Sequence, residues 1–587
     1  VNRTLCLVLG IAFLLPISAQ AAESRSENLA DAKQLRRPVA AALVDEGRIL
    51  AVANERSGSI SFIDVEQGMV REELAVGKRL TDIATVGNGQ RLLVVDEAQH
   101  ELVEIGSQEG RWQIRERLAV SEYPTTLAVS ADGHQATVAC RWSWRFQVID
   151  LTARPMRVAH TIDLPFAPRN QIALDDNKHV VADAFGGRLA LIDMVSGRVV
   201  HAIELPAHNI RGLALAEGGK KLLVAHQTHD QTAPTTRDTV WNGWVINNAL
   251  TMLDIEHDLL AASSKRPSSE TLIVVGDGFN GSGDPAGMAT IDADHVALCL
   301  AGVDELAIFR TDERVIVERM VIGKRPTAVV AGPQRRLYAV NTLSDSITVV
   351  DGDDFTLKHE ISLGPQPPLY PRDRGERLFY DARLSTGEWF SCHSCHTDGH
   401  TNGLRADTFG DRTEGAPKRT PTLLGTSLTD PWSWRGDLRE LRDQVRKSVE
   451  MTMHSAPDIG QHEIDDLVAY LHTLPPPPPR EPARADKADQ ERHERGRRIF
   501  ARNRCAECHV PSLTFTSPAA YDVGFRDEVG HDKFNPPSLR GVGQGYRFFH
   551  DGRAATLKEV FQKFDHQLQE DLSEDQIADL VRYLKSL

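Results

Sequence analysis

"RLYAVNTLSDSITVVDGDD", residues 336–354, is two short apolar runs separated by a polar turn and closed by acidic residues. Small and β-branched residues flanking a Ser/Asp turn read as two antiparallel strands. The second run has close copies all the way towards the N-terminus: "SISFIDV" (59–65), "ELVEI" (101–105), "FQVIDL" (146–151), "LALIDM" (189–194), "LTMLDI" (250–255) and "ELAIFR" (305–310), with "ITVVD" (347–351) as the seventh. Partner runs such as "RILAVAN" (48–54), "RLLVVDE" (91–97) and "KLLVAHQ" (221–227) precede several of them. A strand-rich period near 40 residues is the mark of propeller blades, and seven copies predict a seven-bladed, all-β ring over 38–365.

Two stretches, 226–250 and 276–288, lengthen the fifth blade, and long loops on a rigid ring are common recognition sites. His226 and His229 are expected there as exposed loop residues without a metal. Cys140 and Cys299 lie in apolar strand-like runs and are expected to be buried thiols.

Past residue 365 the pattern changes from strands to a tandem helical repeat. "RGERLFYDARL" (374–384) matches "RGRRIFARN" (495–503), and "RTPTLLGTSLTDPWSWRGDLREL" (419–441) matches "NPPSLRGVGQGYRFFHDGRAATL" (535–557). "EIDDLVAYLHTL" (463–474) and "EDQIADLVRYLKSL" (574–587) both carry the i, i+3, i+4 apolar spacing of an amphipathic helix. Two tandem all-α domains of the class I cytochrome c type follow, at 366–474 and 495–587, joined by a proline-rich and charged linker at 475–494.

Each domain holds one Cys-x-x-Cys-His: Cys392, Cys395 and His396 in "WFSCHSCHTDGH", then Cys505, Cys508 and His509 in "RNRCAECHV". The pattern attaches haem c covalently through two thioethers, with the adjacent histidine as an iron ligand. The rival reading is one structural zinc held by the four cysteines, which leaves both histidines unexplained. Two covalently bound haem c groups are therefore expected.

The first residues, "VNRTLCLVLGIAFLLPISAQAAES", have the basic, apolar and small-residue parts of a cleaved export signal over 1–21. Export to the periplasm is expected, with no stable membrane span. A net charge of −15 argues against nucleic acid as a partner.

The propeller repeats resemble the bacterial YVTN type. The helical third, through "GAPKRTPTLLGTSLTDPWSWRGDL" and "FNPPSLRGVGQGYRFFHDGRAATLKEV", resembles the bacterial diheme cytochrome c peroxidases and their MauG-type relatives, which mature quinone cofactors on a partner protein. That resemblance implies hydrogen peroxide reacting at the first haem, with His396 proximal, Glu450 as acid–base catalyst, Gln444 lining the pocket and Trp434 between the haems. It implies a small donor protein, a cytochrome or cupredoxin, feeding the second haem through His509. His550 corresponds to a structural or propionate-bonding residue.

Three positions depart from the family. No histidine stands near Gly410 and Asp411, where many members loosely ligate the resting first haem, so an open first iron is expected; His400 is close to the motif for a trans-axial role. No methionine follows Met453, and the usual position is Phe564, which leaves His566, ahead of His531 and Tyr521, as sixth ligand of the second haem. Arg419 stands where the usual calcium-ligand asparagine is expected, which counts against the calcium that many members bind. The alternatives are MauG-like oxidation of a protein docked on the propeller, and a non-enzymatic electron carrier or sensor whose first haem is closed by His400 or His226.

Overall fold

The computed structural model describes residues 34–587 apart from 88, 176, 262–264, 268–269, 279, 410–412, 456–458 and 484–485. The export signal at 1–21 and the Gly410/Asp411 reading lie outside the described residues.

Seven four-stranded antiparallel meanders span 38–75, 80–119, 124–163, 168–204, 208–274, 285–321 and 326–362, blades 1 to 7. Their second and third strands are buried from end to end or nearly so, as in "ILAVAN" and "SISFID", while the fourth is largely exposed. The acidic residue closing many third strands has a local task. Asp64, Asp150, Asp193 and Asp351 each accept backbone N–H bonds from the following turn, the Asx-type contact that starts a tight reversal. Asn54 bonds Ser59 and Ser61 in blade 1, and Asn341 bonds Ser346 and Thr348 in blade 7, so the repeat extends to buried polar side chains.

Among the described residues no strand is exchanged between the first and last blades. The ring closes by apolar packing of Leu50, Val52 and Ile63 on Tyr338, Val340 and Ile347, and by Asp345, whose carboxylate accepts the backbone N–H groups of Arg36 and Arg37. Cys140 and Cys299 are buried free thiols in blades 3 and 6.

Blade 5 carries the insertion. His226 and His229 are on the strand Lys221–His229 rather than in a loop, and His226 is fully buried. Hairpin pairing simply continues to His229↔Ile246. A short helix α1 (Arg237–Trp241) follows, capped by Thr236.

The helical third repeats one crossing twice. Helix α2 (Pro371–Phe379) crosses α5 (Gln461–Leu471), and α6 (Lys487–Arg502) crosses α8 (Glu574–Leu584). Glycine is required at both crossings: a Cβ on Gly375 would lie 1.9 Å from the carbonyl oxygen of Asp466, and one on Gly496 2.1 Å from that of Asp579. Arg374 grips Asp466 at 2.6 Å and Arg495 grips Asp579 at 2.6 Å beside them. Replacing Gly375 by valine should overpack the crossing and cost about 2–3 kcal/mol, read as a lower urea midpoint of the full chain. An unchanged midpoint would mean that the helices separate freely.

Between these crossings come the one-turn helix α3 (Cys392–Cys395), α4 (Leu441–Lys447) and α7 (Leu557–Gln562). Among the described residues no helix is long and apolar enough to cross a membrane.

Candidate functional site

Both cysteine motifs open into one continuous cavity of about 730 Å³. In the first, α3 brings Cys392 and Cys395 to one side, and the His396 N–H closes the turn on the Cys392 carbonyl at 2.9 Å. His396 Nδ1 donates to the Pro421 carbonyl at 2.9 Å. In the second motif the His509 N–H bonds the Cys505 carbonyl at 2.9 Å, and Nδ1 donates to Phe515 O at 3.1 Å. An Nδ1–H held by a backbone carbonyl fixes the tautomer and ring plane of a metal-ligating histidine and leaves Nε2 free. Burial pulls both imidazoles' pKa values down, that of His396 to about 4, so each is neutral, as a ligand must be.

The four thiols do not converge. Among the described residues no three His, Cys, Asp or Glu side chains come together as a metal site, which excludes the single zinc centre. Burial pushes the thiols of Cys392 and Cys395 up to about 12. The cavity, the paired cysteines and the two preset imidazoles fit two covalently held haems.

The second motif faces His566. This residue lines the cavity, and its pKa is pulled to about 4 by burial and then by the neighbouring His509. Its Nδ1 is enclosed without a partner. His531 is engaged at both nitrogens, to Asp527 at 3.0 Å and to Arg435 at 3.0 Å. Tyr521 is tied to Ser517 at 3.0 Å.

The first motif faces α4 and the π-turn Ser448–Thr452 that extends it. Leu441, Gln444, Val445, Ser448 and Thr452 line the cavity. Gln444 Nε2 bonds Ser448 Oγ at 3.1 Å, while its Oε1 is buried and unpartnered. Glu450 departs from the expected position. It is absent from the cavity wall, exposed, and paired to Arg446 at 3.1 Å. The reason is helical phase: positions 441, 444, 445, 448 and 452 share the inner face, which puts 446 and 450 together on the outer one.

Of the histidines considered for closing the first iron, His400 lines the cavity; its Nδ1 bonds Thr422 Oγ1 at 2.9 Å, its ring packs on Phe185 and Trp142, and its Nε2 is enclosed without a partner. His226 bonds Thr251 at 2.7 Å, away from the cavity wall.

Trp434 lines the cavity and spans the two domains. Its Nε1 donates to Arg419 O at 2.7 Å, and its own carbonyl accepts from Asn535 N–H at 2.8 Å. Beside it His550 stacks on Phe534 at 3.9 Å. Arg419 is half-buried, with its pKa lowered to about 10 by desolvation, and its Nε donates to Phe549 O at 3.2 Å. A guanidinium there puts a fixed positive charge at the position where the calcium ligand was expected.

The propeller also belongs to the site, through residues that motif reading missed. Asp284 accepts the hydroxyls of Ser391 at 2.5 Å and Ser394 at 2.6 Å. His208 bonds the Ser394 carbonyl at 3.1 Å, Gln227 bonds Ser394 Oγ at 3.2 Å, and Asn248 bonds the Trp389 carbonyl at 2.8 Å. Asp398, two residues past His396, is gripped by Arg141, Arg169 and Arg211 at 2.7, 2.6 and 2.9 Å. Nothing in the sequence named these partners, which stand 187 to 257 residues before Asp398.

Comparison with known proteins agrees with two haem-binding domains in the helical third. A family model described as di-haem cytochrome c peroxidase matches residues 373–475, and one for cytochrome c matches 493–587. The chain is 26% identical over 262 residues to a cytochrome c551 peroxidase of Nitrosomonas europaea, covering 36% of this chain and 78% of that protein. It is 25% identical over 290 residues to the methylamine utilization protein MauG of Methylorubrum extorquens, covering 38% and 79%. It is 27% identical over 273 residues to the hydrazine synthase subunit gamma of Kuenenia stuttgartiensis, covering 36% and 76%.

Proposed function

We propose that this chain, in which a seven-bladed propeller carries a di-haem cytochrome c peroxidase/MauG-type domain and a cytochrome c domain, is an exported peroxide reductase. Hydrogen peroxide takes two electrons and two protons at the first haem site and leaves as two waters. A small donor protein supplies the electrons by way of the second site. The observation that carries this reading is asymmetry within one cavity. Opposite the second motif stands the imidazole of His566 with an enclosed, unpartnered Nδ1, whereas the α4 wall facing the first is Gln444 among apolar side chains, and the His400 ring on that side is held by Thr422, Phe185 and Trp142. Two strong axial ligands suit electron transfer, and an open position suits catalysis.

The haems supply the redox chemistry, and this chain's residues do the rest. His396 and His509 would hold the two irons through Nε2, their Nδ1 atoms being anchored on carbonyl oxygens. Gln444 orients the substrate side of the first pocket, and Leu441, Val445 and Val449 keep it dry. Trp434 stands between the sites, hydrogen-bonded to one domain and accepting from the other. Glu450 faces outward, so Glu450→Gln should leave peroxide turnover within about twofold. Gln444→Leu should lower it by about tenfold or more. A hundredfold loss in Glu450→Gln would mean that the turn rotates during catalysis.

The decisive test is the low-temperature electron paramagnetic resonance spectrum of the oxidised protein. One high-spin and one low-spin signal are expected. Two low-spin signals would overturn the open first site and favour an electron carrier.

A second reading, oxidation of a docked protein, is favoured by the blade 5 insertion. Trp241 and Trp244 are 41% and 62% exposed on it, and the Trp241 carbonyl bonds Trp389 Nε1 at 2.9 Å, beside the first motif. A partner recovered by pull-down and altered only by active enzyme would establish it.

A further inference from the structure

The propeller meets the first haem domain through charge buried against the attachment motif, where Arg211 bonds His393 Nε2 at 3.1 Å and the Asp398 N–H bonds His393 Nδ1 at 3.1 Å. Asp398 sits in the turn that follows His396, and its carboxylate holds three guanidiniums from three successive blades: Arg141, Arg169 and Arg211. The side chains of Arg141 and Arg211 are each only 8% exposed. Arg325 of blade 7 joins them, its guanidinium 3.3 Å from the centroid of the Tyr380 ring, which packs on His393. Among the described residues no carboxylate is ion-paired to Arg325.

Glu97 accepts from Arg141 at 2.7 Å and from Arg79 at 3.1 Å, and Arg79 also pairs with Glu55 at 2.7 Å. Five guanidiniums, those of Arg79, Arg141, Arg169, Arg211 and Arg325, thus face three carboxylates, Asp398, Glu97 and Glu55. Counting Asp284, on the Ser391/Ser394 side, as a fourth still leaves positive charge in excess. Such charge is weakly screened where it is buried.

We propose that this arginine cluster of the propeller sets the reduction potential of the first haem, holding it above the value that the isolated haem domain would have. Fixed positive charge held against the attachment motif disfavours the ferric state, which carries one more positive charge than the ferrous state. The residues act through the haem environment and touch no substrate, so they are positioning and tuning residues. The inference needs only haem attachment at Cys392 and Cys395, and holds whichever substrate is oxidised.

The sign of the shift separates tuning from mere support. Arg169 makes a single side-chain bond, to Asp398, so Arg169→Gln removes one charge with little else. Spectroelectrochemical titration of the full-length, haem-loaded protein should show the first haem easier to oxidise in that variant. Its ferric/ferrous equilibrium should shift about tenfold, which is about 59 mV for one electron. Asp398→Asn should move it the opposite way, and the second haem should stay put in both. Arg325→Leu, which breaks no ion pair, should follow Arg169→Gln, and if Asp398→Asn does not fold, Glu97→Gln supplies the shift of opposite sign. Shifts of the same sign for Arg169→Gln and Asp398→Asn, or an unmoved first haem in folded Arg169→Gln, would overturn the proposal.

Discussion

Exchanging Cys392 and Cys395 for serine should leave a chain with one covalent haem instead of two and reduce peroxide turnover by at least ~10³-fold, because the group that carries the chemistry is lost. Both cysteines border the apolar cluster of Phe379, Trp389, Phe390, Val449 and Leu467. Without a haem to fill its part of the cavity, the first domain should also melt earlier than the propeller. The pyridine haemochrome absorbance per chain reads the stoichiometry, and a value still near two haems would refute attachment at this motif. Cys505 and Cys508 changed in the same way should give one haem as well, but with the high-spin signal retained.

Replacing His566 by alanine should convert the low-spin ferric signal to high-spin and slow reduction of the first haem by the donor by an order of magnitude or more, about the loss expected when an axial ligand is missing. The expectation rests on elimination in space: His531 has both nitrogens engaged, Tyr521 is bonded to Ser517, and no methionine follows Met453. His566→Met offers a sharper control. A thioether in place of the imidazole should restore the low-spin signal at a higher potential. A low-spin signal surviving in His566→Ala would mean that another side chain holds the iron.

Legibility followed range along the chain. The blades could be read because each is a local meander whose strands alternate buried and turn residues over about 40 positions. The paired helical domains could be read because their glycine crossings and Cys-x-x-Cys-His motifs recur in the same order. His566 was reached by excluding methionine, which needs only composition. The outward side of Glu450 was not legible because a family position does not carry its helical phase with it. With α4 running straight into the π-turn, residue 450 falls on the face opposite Gln444. His226 and His229 were misread as loop residues because nothing local shows how far a hairpin will keep pairing.

The sequence by itself determined the chemistry of the chain: two thiols and an imidazole within five residues suffice to hold a haem, whatever surrounds them. It also determined the ring, since seven like meanders that each leave an apolar face uncovered bury it by packing on one another. Only the tertiary structure decided that the ring is a wall of the first haem site. Asp284 reaches Ser391 and Ser394 across more than 100 residues, and Asp398 meets arginines 187 to 257 residues earlier in the chain. Charges buried this way must find partners or lose their solvation without return, but any opposite charge of suitable reach would satisfy them. Periodicity and spacing therefore leave no trace of the choice, and only the docked geometry records it.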